Sequence, residues 1–170
     1  MQQLYLTGEY ASEIAMRLFD AMKVQPAGYR LRPLCVDGLE RGDALHLLLP
    51  PTPPLCNDTP CHVMLRQGEM TLVPGVLEEV AAPSLLAARN VHTPMLMDGV
   101  RADMLSCPAF RNAMLTCLMG QRPVVVTAAA DAIKPLTALT PPERQLWMSA
   151  SSPDYGPLLQ ALIAEAMMRF

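Results

Sequence analysis

The sequence has few lysines, few aromatic residues and no long apolar stretch. Only two of its 170 residues are lysines, aromatic residues make up 5%, and the formal net charge is −3. The arginines are scattered, so no basic stripe with stacking aromatics marks a nucleic-acid partner. No apolar segment approaches the ~20 residues that span a bilayer. We therefore expect neither nucleic-acid binding nor membrane insertion.

The beginning of the chain and its cysteines indicate a cellular compartment. No basic region followed by a long apolar run and a cleavage site stands at the N-terminus, so we expect a cytoplasmic protein. Five cysteines, an odd number at irregular spacing, indicate reduced thiols rather than disulfides. Cys56, Cys61 and His62 lie close together, but a zinc site normally needs four ligands at recurring spacing. We expect structural thiols and no metal.

The order of apolar segments predicts one α/β domain over residues 1–170. Hydrophobic residues make up 51% of the chain, enough to fill the core of a domain of this size. A first strand ends near Thr7, and later segments alternate between strand and helix patterns, which indicates parallel βαβ units. The predicted later elements are strands near 94–98, 123–127 and 146–150, and helices over 73–90 (interrupted near Pro83), 108–119 and 157–169.

Two extended segments joined by a turn at Asp37 and Gly38 predict a hairpin over 28–49. The run PPTPPLCNDTPC that follows contains five prolines. Proline lacks the backbone N–H that helices and central strands need, so we predict a proline-rich surface loop over 50–62.

The first strand, its glycine turn and the helix after it are arranged like a phosphate-binding loop. That loop reads G-x-x-x-x-G-K-[ST], in which the lysine meets the phosphates and the hydroxyl meets Mg²⁺. With Gly8 at the first position, Glu13, Ile14 and Ala15 occupy the last three. Glu13 and Glu9 also put negative charge where a helix N-terminus would attract an anion. Ordinary ATP binding is therefore disfavoured.

A second interpretation of the same segment involves no ligand. Thr7 and Gly8 can form an ordinary turn between a strand and a helix, with Ser12 near the N-cap. Farther along the chain, Asp98 and Thr127 follow predicted parallel strands. Open α/β sheets bind ligands at this edge, so we expect both residues beside the Gly8 turn. Asp98 has an alternative role as a simple strand-end acid that caps the next turn.

This order of segments resembles a family of small nucleoside triphosphatases, the cancer-related nucleoside triphosphatase type, which are P-loop proteins with a RecA-like sheet. The similarity extends through most of the chain. GYRLRPLCVDGLERGDALHLL matches the family's strand and turn with Gly28, Tyr29, Gly38, Arg41 and Gly42 in register. The segments VLEEVAAPSLLAARNVHTPMLMDGV, SCPAF and RPVVVT resemble its later elements. The resemblance implies a P-loop NTPase-like three-layer α/β fold with a mainly parallel sheet and an inserted β-hairpin.

The chain departs from this family at the residues that perform the chemistry. In the alignment that begins at Gly8, Ile14 replaces the lysine and Ala15 the metal-binding hydroxyl. Asp98 resembles the acid that contacts Mg²⁺ through water, but Gly99 replaces the glutamate that would polarise the attacking water. The resemblance therefore implies a degenerate member with no catalytic residues and negligible hydrolysis.

Two functional hypotheses follow from these departures. The first is a pseudo-NTPase that needs no cofactor and acts as a regulatory or protein-binding domain. The alternative is a protein that binds a nucleotide, with or without Mg²⁺, or another small phosphate ligand through a remodelled loop with replacement arginines. A third idea, an enzyme using Cys35 or Cys107, has no support from residue spacing. The candidate ligand-binding residues are Thr7, Gly8, Ser12, Arg30, Arg32, Arg41, Asp98 and Thr127.

Overall fold

The computed structural model describes residues 2–48, 62–67, 69–70, 75–90 and 92–169. Its strands are β1 (Gln3–Thr7), β2 (Ala27–Val36), β3 (Leu39–Leu48), β4 (His62–Gln67), β5 (Glu69–Met70), β6 (Met95–Val100), β7 (Val124–Ala128) and β8 (Gln145–Ser149). Its α-helices are α1 (Ala11–Met22), α2 (Ala82–Ala88), α3 (Ala102–Leu105), α4 (Pro108–Leu118), α5 (Ile133–Thr137) and α6 (Gly156–Arg169). A π-helical segment, Val76–Ala81, precedes α2, and 3-10 turns cover Ala130–Ala132 and Pro142–Arg144.

The strands form one sheet in the order β5-β4-β3-β2-β6-β7-β1-β8. The five neighbouring strands β2, β6, β7, β1 and β8 pair in parallel. Beyond β2, the strands β3, β4 and β5 extend the sheet by antiparallel pairing. The parallel strands are apolar because both of their faces are covered, and every residue of β7 is buried. The predicted α/β fold with a mainly parallel sheet is confirmed.

Helices cover both faces of the sheet, which makes three layers. On one face, Tyr5, Met97 and Val126 pack in a core that includes residues of α2 and α4. On the other face, Leu6 and Leu96 pack with residues of α1 and α6. At one margin of the sheet, Tyr5 of β1 and Trp147 of β8 are register partners whose rings stack with centroids 4.5 Å apart.

The predicted hairpin is confirmed, with β2 and β3 antiparallel around Asp37 and Gly38. Both turn residues have positive φ, 53° and 75°, as tight hairpin turns require. Most of the predicted proline-rich loop lies outside the described residues. Its last residue, His62, instead begins β4, because the apolar segment after the prolines pairs with β3.

The predicted interruption near Pro83 is a change of helix type. The chain is π-helical over Val76–Ala81 and becomes α-helical at Ala82, whose N–H donates to the Leu77 carbonyl. Pro83, which has no backbone N–H to donate, lies in the first turn of α2, directly after this change of helix type. None of the helices in the described part of the chain is long and apolar enough to cross a membrane.

Candidate functional site

A buried carboxylate lies near the carboxyl ends of the parallel strands β1, β6 and β7. We call this edge of the sheet the carboxyl edge. Asp98 of β6 is 1% exposed. Its Oδ1 accepts hydrogen bonds from Ser12 Oγ at 2.5 Å and Thr127 Oγ1 at 2.6 Å. Its Oδ2 accepts a longer bond, 3.4 Å, from Arg30 Nε, and the two residues form an ion pair. Three donors thus compensate for burying the charge of Asp98.

Strand register explains why these side chains meet. Arg30 of β2 lies directly opposite Asp98 of β6 in a parallel pair, so both side chains leave the same face of the sheet. On that face α1 packs against the sheet and brings Ser12 to the carboxylate. The sequence-predicted residues Ser12, Arg30, Asp98 and Thr127 therefore form one cluster, which we call the Asp98 cluster.

Gly99, directly after Asp98, occupies a backbone position that favours glycine. The pairing of β6 with β7 shifts register between Met97 and Val100, and Gly99 has a φ of +87°. Its N–H donates to Thr127 Oγ1 at 2.7 Å. A Cβ at this position would lie 3.0 Å from the Leu31 Cβ. A side chain here would therefore be strained and crowded, which favours glycine at this position.

The loop between β1 and α1 contains only the three residues Gly8, Glu9 and Tyr10. Gly8 has a φ of +100°, and a Cβ on it would collide with Ser151 and the backbone of Ala150. Tyr10 N–H donates to the Ala150 carbonyl at 2.9 Å, and Ala11 N–H donates to Gly8 at 3.2 Å. Two of the N–H groups that a helix start leaves free for an anion are therefore used internally.

The early start of α1 changes the alignment expected from sequence. Ile14 and Ala15 are fully buried in the core between α1 and the sheet, so they do not face the carboxyl edge. The hydroxyl that contacts Asp98 belongs to Ser12. Ser12 does lie near the N-cap, which is Tyr10, but no side chain caps this helix. The residue before Ser12 is Ala11, which is 4% exposed.

The other predicted ligand residues lie at different distances from this cluster. Gly8 lines the same pocket as Ser12 and Thr127. Thr7 lines a different cavity, beside Trp147, and its carbonyl accepts a bond from the Ala150 N–H at 2.6 Å. Arg32 is exposed two residues beyond Arg30 on the same face of β2. Arg41 lies in β3, and its side chain is outside the part that the structure describes.

The pocket at the carboxyl edge has a volume of about 270 Å³. It contains a charged pair that sequence reasoning missed, in which Arg101 Nη1 donates to Asp43 Oδ2 at 2.7 Å. Arg101 also contacts Asp103 at 3.3 Å. The only signal in the sequence was the position of Arg101 three residues after Asp98. Nothing local indicated Asp43, which reaches the pocket from the hairpin.

Positive charge near the Asp98 cluster affects a histidine. His46 of β3 lies opposite Arg30, and burial together with the charges of Arg32 and Arg30 lowers its pKa.

On the other face of the sheet, the buried Tyr29 hydroxyl has no hydrogen-bond partner among the described residues. Burial, and next the charge of Asp98, raise the pKa of Tyr29 well above its ordinary value.

A carboxylate on the first turn of α1 adds negative charge to this region. Glu13 Oε1 accepts bonds from the Tyr155 hydroxyl at 2.5 Å and from Arg17 at 2.8 Å. These two donors lower the pKa of Glu13, and the Tyr155 hydroxyl has the larger effect.

Within the described ranges, no group of three or more His, Cys, Asp and Glu residues could hold a metal ion. Cys56 and Cys61 lie outside those ranges, as does the side chain of His62.

Two solved structures share this architecture over nearly the whole chain. The crystal structure of THEP1 from the hyperthermophile Aquifex aeolicus matches with a TM-score of 0.71, covering 97% of this chain and 98% of that chain. The solution structure of a human cancer-related nucleoside triphosphatase matches with a TM-score of 0.67, covering 99% and 98%. The chain has the fold of a P-loop nucleoside triphosphatase.

This P-loop NTPase fold is the one that the sequence resemblance predicted. Sequence identity is only 11% with THEP1 and 13% with the human protein, so the likeness concerns the fold. No protein-family model matches the chain, and no curated protein matches it at a significant level.

Proposed function

We propose that this protein has kept the P-loop NTPase fold without hydrolytic activity and acts as a regulatory or protein-binding domain in the cytoplasm. The observation that carries the proposal is that an alanine, Ala11, directly precedes Ser12, whose hydroxyl contacts Asp98. A phosphate-binding loop has lysine immediately before that hydroxyl, where its ammonium meets the β- and γ-phosphates. The Ala11 side chain is neutral and nearly buried, so it supplies no charge to a triphosphate.

The metal-binding role is also poorly supported by these residues. A serine hydroxyl and an aspartate carboxylate are the protein groups that hold Mg²⁺ beside the phosphates in P-loop enzymes. Here, however, both carboxylate oxygens of Asp98 already accept hydrogen bonds, and one bonds the Arg30 guanidinium. This fixed positive charge opposes a second cation at the same carboxylate. The donor set therefore fits Mg²⁺ poorly, and the proposal requires neither metal nor nucleotide.

No carboxylate is free to activate water in the described pocket. Gly99 has no side chain, and Asp43 is held by Arg101 at 2.7 Å. Phosphoryl transfer depends on positioning and on stabilising charge, and one missing cation can cost about 10³- to 10⁵-fold in rate. Loss of the lysine and of the base together therefore supports the absence of hydrolysis.

Phosphate release from ATP and GTP with Mg²⁺ tests the loss of activity. We expect the wild-type chain to release no more phosphate than Asp98→Asn. Hydrolysis by the wild type that Asp98→Asn abolishes would contradict the proposal.

A second experiment tests the protein-binding role. A tagged form of the chain is used to capture proteins, and we expect at least one of them, once purified, to bind the chain directly. Failure of every captured protein to bind when purified would contradict that role.

A second candidate function is binding of a nucleotide or another phosphate-bearing molecule at the carboxyl edge. The lining of the pocket favours it, because a glycine turn, a hydroxyl and a guanidinium, those of Gly8, Ser12 and Arg101, meet there. Calorimetric titration with ATP and GTP, with and without Mg²⁺, tests this candidate. Micromolar binding that Arg101→Gln weakens supports it, whereas no binding at millimolar ligand excludes it.

A further inference from the structure

Another pocket lies at the opposite edge of the sheet, beside the amino ends of β6 and β7, where α2 and α4 finish. We call it the amino-edge pocket. Its volume is about 440 Å³, larger than the pocket beside Asp98. Small-molecule sites typically have volumes of roughly 300–1,000 Å³. The amino-edge pocket is therefore large enough for a small organic ligand.

The charged and basic side chains of this pocket are Arg89, His92 and Arg122, and no acidic residue among the described ones lines it. The chain as a whole has a formal net charge of −3, so this is a local concentration of positive charge. Cys117 lines the same pocket; burial raises the pKa of its thiol to about 11, and the charges of Arg89 and Arg122 act in the opposite direction. Two arginines therefore contribute positive charge to one pocket.

The two arginines of the pocket differ in their contacts. Arginines near the end of a helix often serve the last carbonyls of that helix. At the end of α4 this role belongs to Arg144, whose Nη1 contacts the carbonyls of Met119 at 2.9 Å and Gly120 at 3.1 Å. Arg122 has this role at the end of α2, because its Nη1 donates to the carbonyl of Ala88, the last residue of that helix, at 2.6 Å, and Arg122 also lines the pocket. Arg89 is exposed at the end of α2.

Thr93 lines the same pocket and carries an unpartnered hydroxyl. The Thr93 Oγ1 atom is buried and has no hydrogen-bond partner among the described residues. Buried polar groups nearly always have a partner, so such an atom calls for an explanation such as a ligand or water. The apolar part of the wall is formed by residues such as Pro94, Met95 and Pro123. Donors and apolar surface are thus combined in one cavity, which is the usual composition of a ligand site.

We propose that the amino-edge pocket binds a small organic phosphate, with the phosphate between Arg89, Arg122 and the Thr93 hydroxyl. The planar guanidinium fork matches the geometry of phosphate oxygens, and charge-assisted bonds of this kind are among the stronger hydrogen bonds in proteins. The nonpolar portion of the ligand packs on Met95 and the neighbouring prolines. This site is separate from the Asp98 cluster and does not depend on the function proposed for that edge.

Calorimetric titration of the full chain with phenyl phosphate tests the site, because this probe joins a phosphate to an apolar ring. We expect saturable binding that weakens about tenfold in Arg89→Gln and in Arg122→Gln, as for loss of one charge-assisted bond. Arg111→Gln, an exposed substitution on α4 outside the pocket, is the matched control and should leave the affinity unchanged. Phenol and inorganic phosphate should each bind more weakly than phenyl phosphate.

Thr93→Val adds a test that does not remove charge. We expect it to weaken phenyl phosphate binding while leaving the melting temperature of the unliganded chain the same or higher. Several outcomes overturn the proposal: no binding at about 1 mM probe, affinity unchanged in both pocket-arginine variants, or affinity reduced equally by Arg111→Gln. If Arg101→Gln alone weakens binding, the probe occupies the carboxyl edge and the proposal is also wrong.

Discussion

The Ser12 hydroxyl donates a 2.5 Å hydrogen bond to Asp98 Oδ1, although the two residues are 86 positions apart in the sequence. This bond joins the first turn of α1 to the end of β6. Because the acceptor is a buried carboxylate, Ser12→Ala should lower the free energy of unfolding by about 1.5–3 kcal/mol, measured by urea denaturation. Ser106→Ala, which removes an exposed bond to the Asp103 carbonyl, is the control and should cost within about 0.5 kcal/mol.

Tyr29 and Tyr5 provide a matched pair of buried hydroxyls. The Tyr29 hydroxyl has no partner among the described residues, whereas Tyr5 contacts Thr140 Oγ1 at 3.3 Å. An unpaired buried donor is costly, so Tyr29→Phe should leave the unfolding free energy unchanged or raise it by about 1 kcal/mol. Tyr5→Phe should lower it by a similar amount. Equal destabilisation of both variants in denaturant melts would show that Tyr29 has a partner.

Cys117 should make the protein less stable in alkaline solution. Burial raises the pKa of its thiol to about 11, whereas an unfolded thiol ionises near about pH 8.5. The unfolded state therefore releases its proton first, so this contribution is present below about pH 8.5 and is lost as pH rises toward 11. Cys117→Ser should reduce the decline in unfolding free energy over that window. An identical decline in both proteins would contradict the prediction.

His46 should make the protein less stable in acidic solution, in contrast to the alkaline effect of Cys117. Burial and the charges of Arg32 and Arg30 lower its pKa in the folded state. An unfolded histidine binds its proton near about pH 6.5, so the stability that His46 contributes is present above that pH. It is lost as pH falls through the lower folded pKa. In urea melts from pH 8 to pH 5, which bracket about pH 6.5, the acid-side loss should be smaller in His46→Gln than in wild type.

Gly28 should tolerate no side chain, whereas Gly38 should tolerate one at moderate cost. Gly28 has a φ of +114°, and a Cβ there would overlap the Leu96 carbonyl oxygen of the neighbouring strand. Gly28→Ala should therefore destabilise the protein by more than about 4 kcal/mol or prevent folding. Gly38 has a φ of +75° with nothing within 4 Å, so Gly38→Ala should cost about 1–2 kcal/mol. Thermal melts of both variants measure the difference.

Much of the fold could be predicted from sequence because its signals are local. The apolar run of β7 and the turn at Asp37 and Gly38 each determine an element over a few residues. Strand β4 was missed because it follows a proline run and depends on pairing with β3, which no short pattern reveals. The residues of the Asp98 cluster were predicted individually, since each follows or lies within a recognisable element.

The arrangement of the candidate site was less predictable. The alignment that put Ala15 at the hydroxyl position assumed a loop of standard length, whereas the structure has a three-residue loop and uses Ser12. Loop length depends on distant contacts such as the bond from Tyr10 to Ala150. The pair formed by Arg101 and Asp43 likewise joins residues from separate elements. Contacts of this kind become visible only when the chain is folded.

Trp147 is the only tryptophan in the sequence, and it lies on β8, whose one described neighbour in the sheet is β1. Its ring stacks on Tyr5 of β1, with centroids 4.5 Å apart and the planes inclined by 19°. Its fluorescence therefore comes from a single known place and requires no label. A change in emission before global unfolding would reveal that β8 separates from β1 first. Trp147 fluorescence therefore reports on the pairing of these two strands.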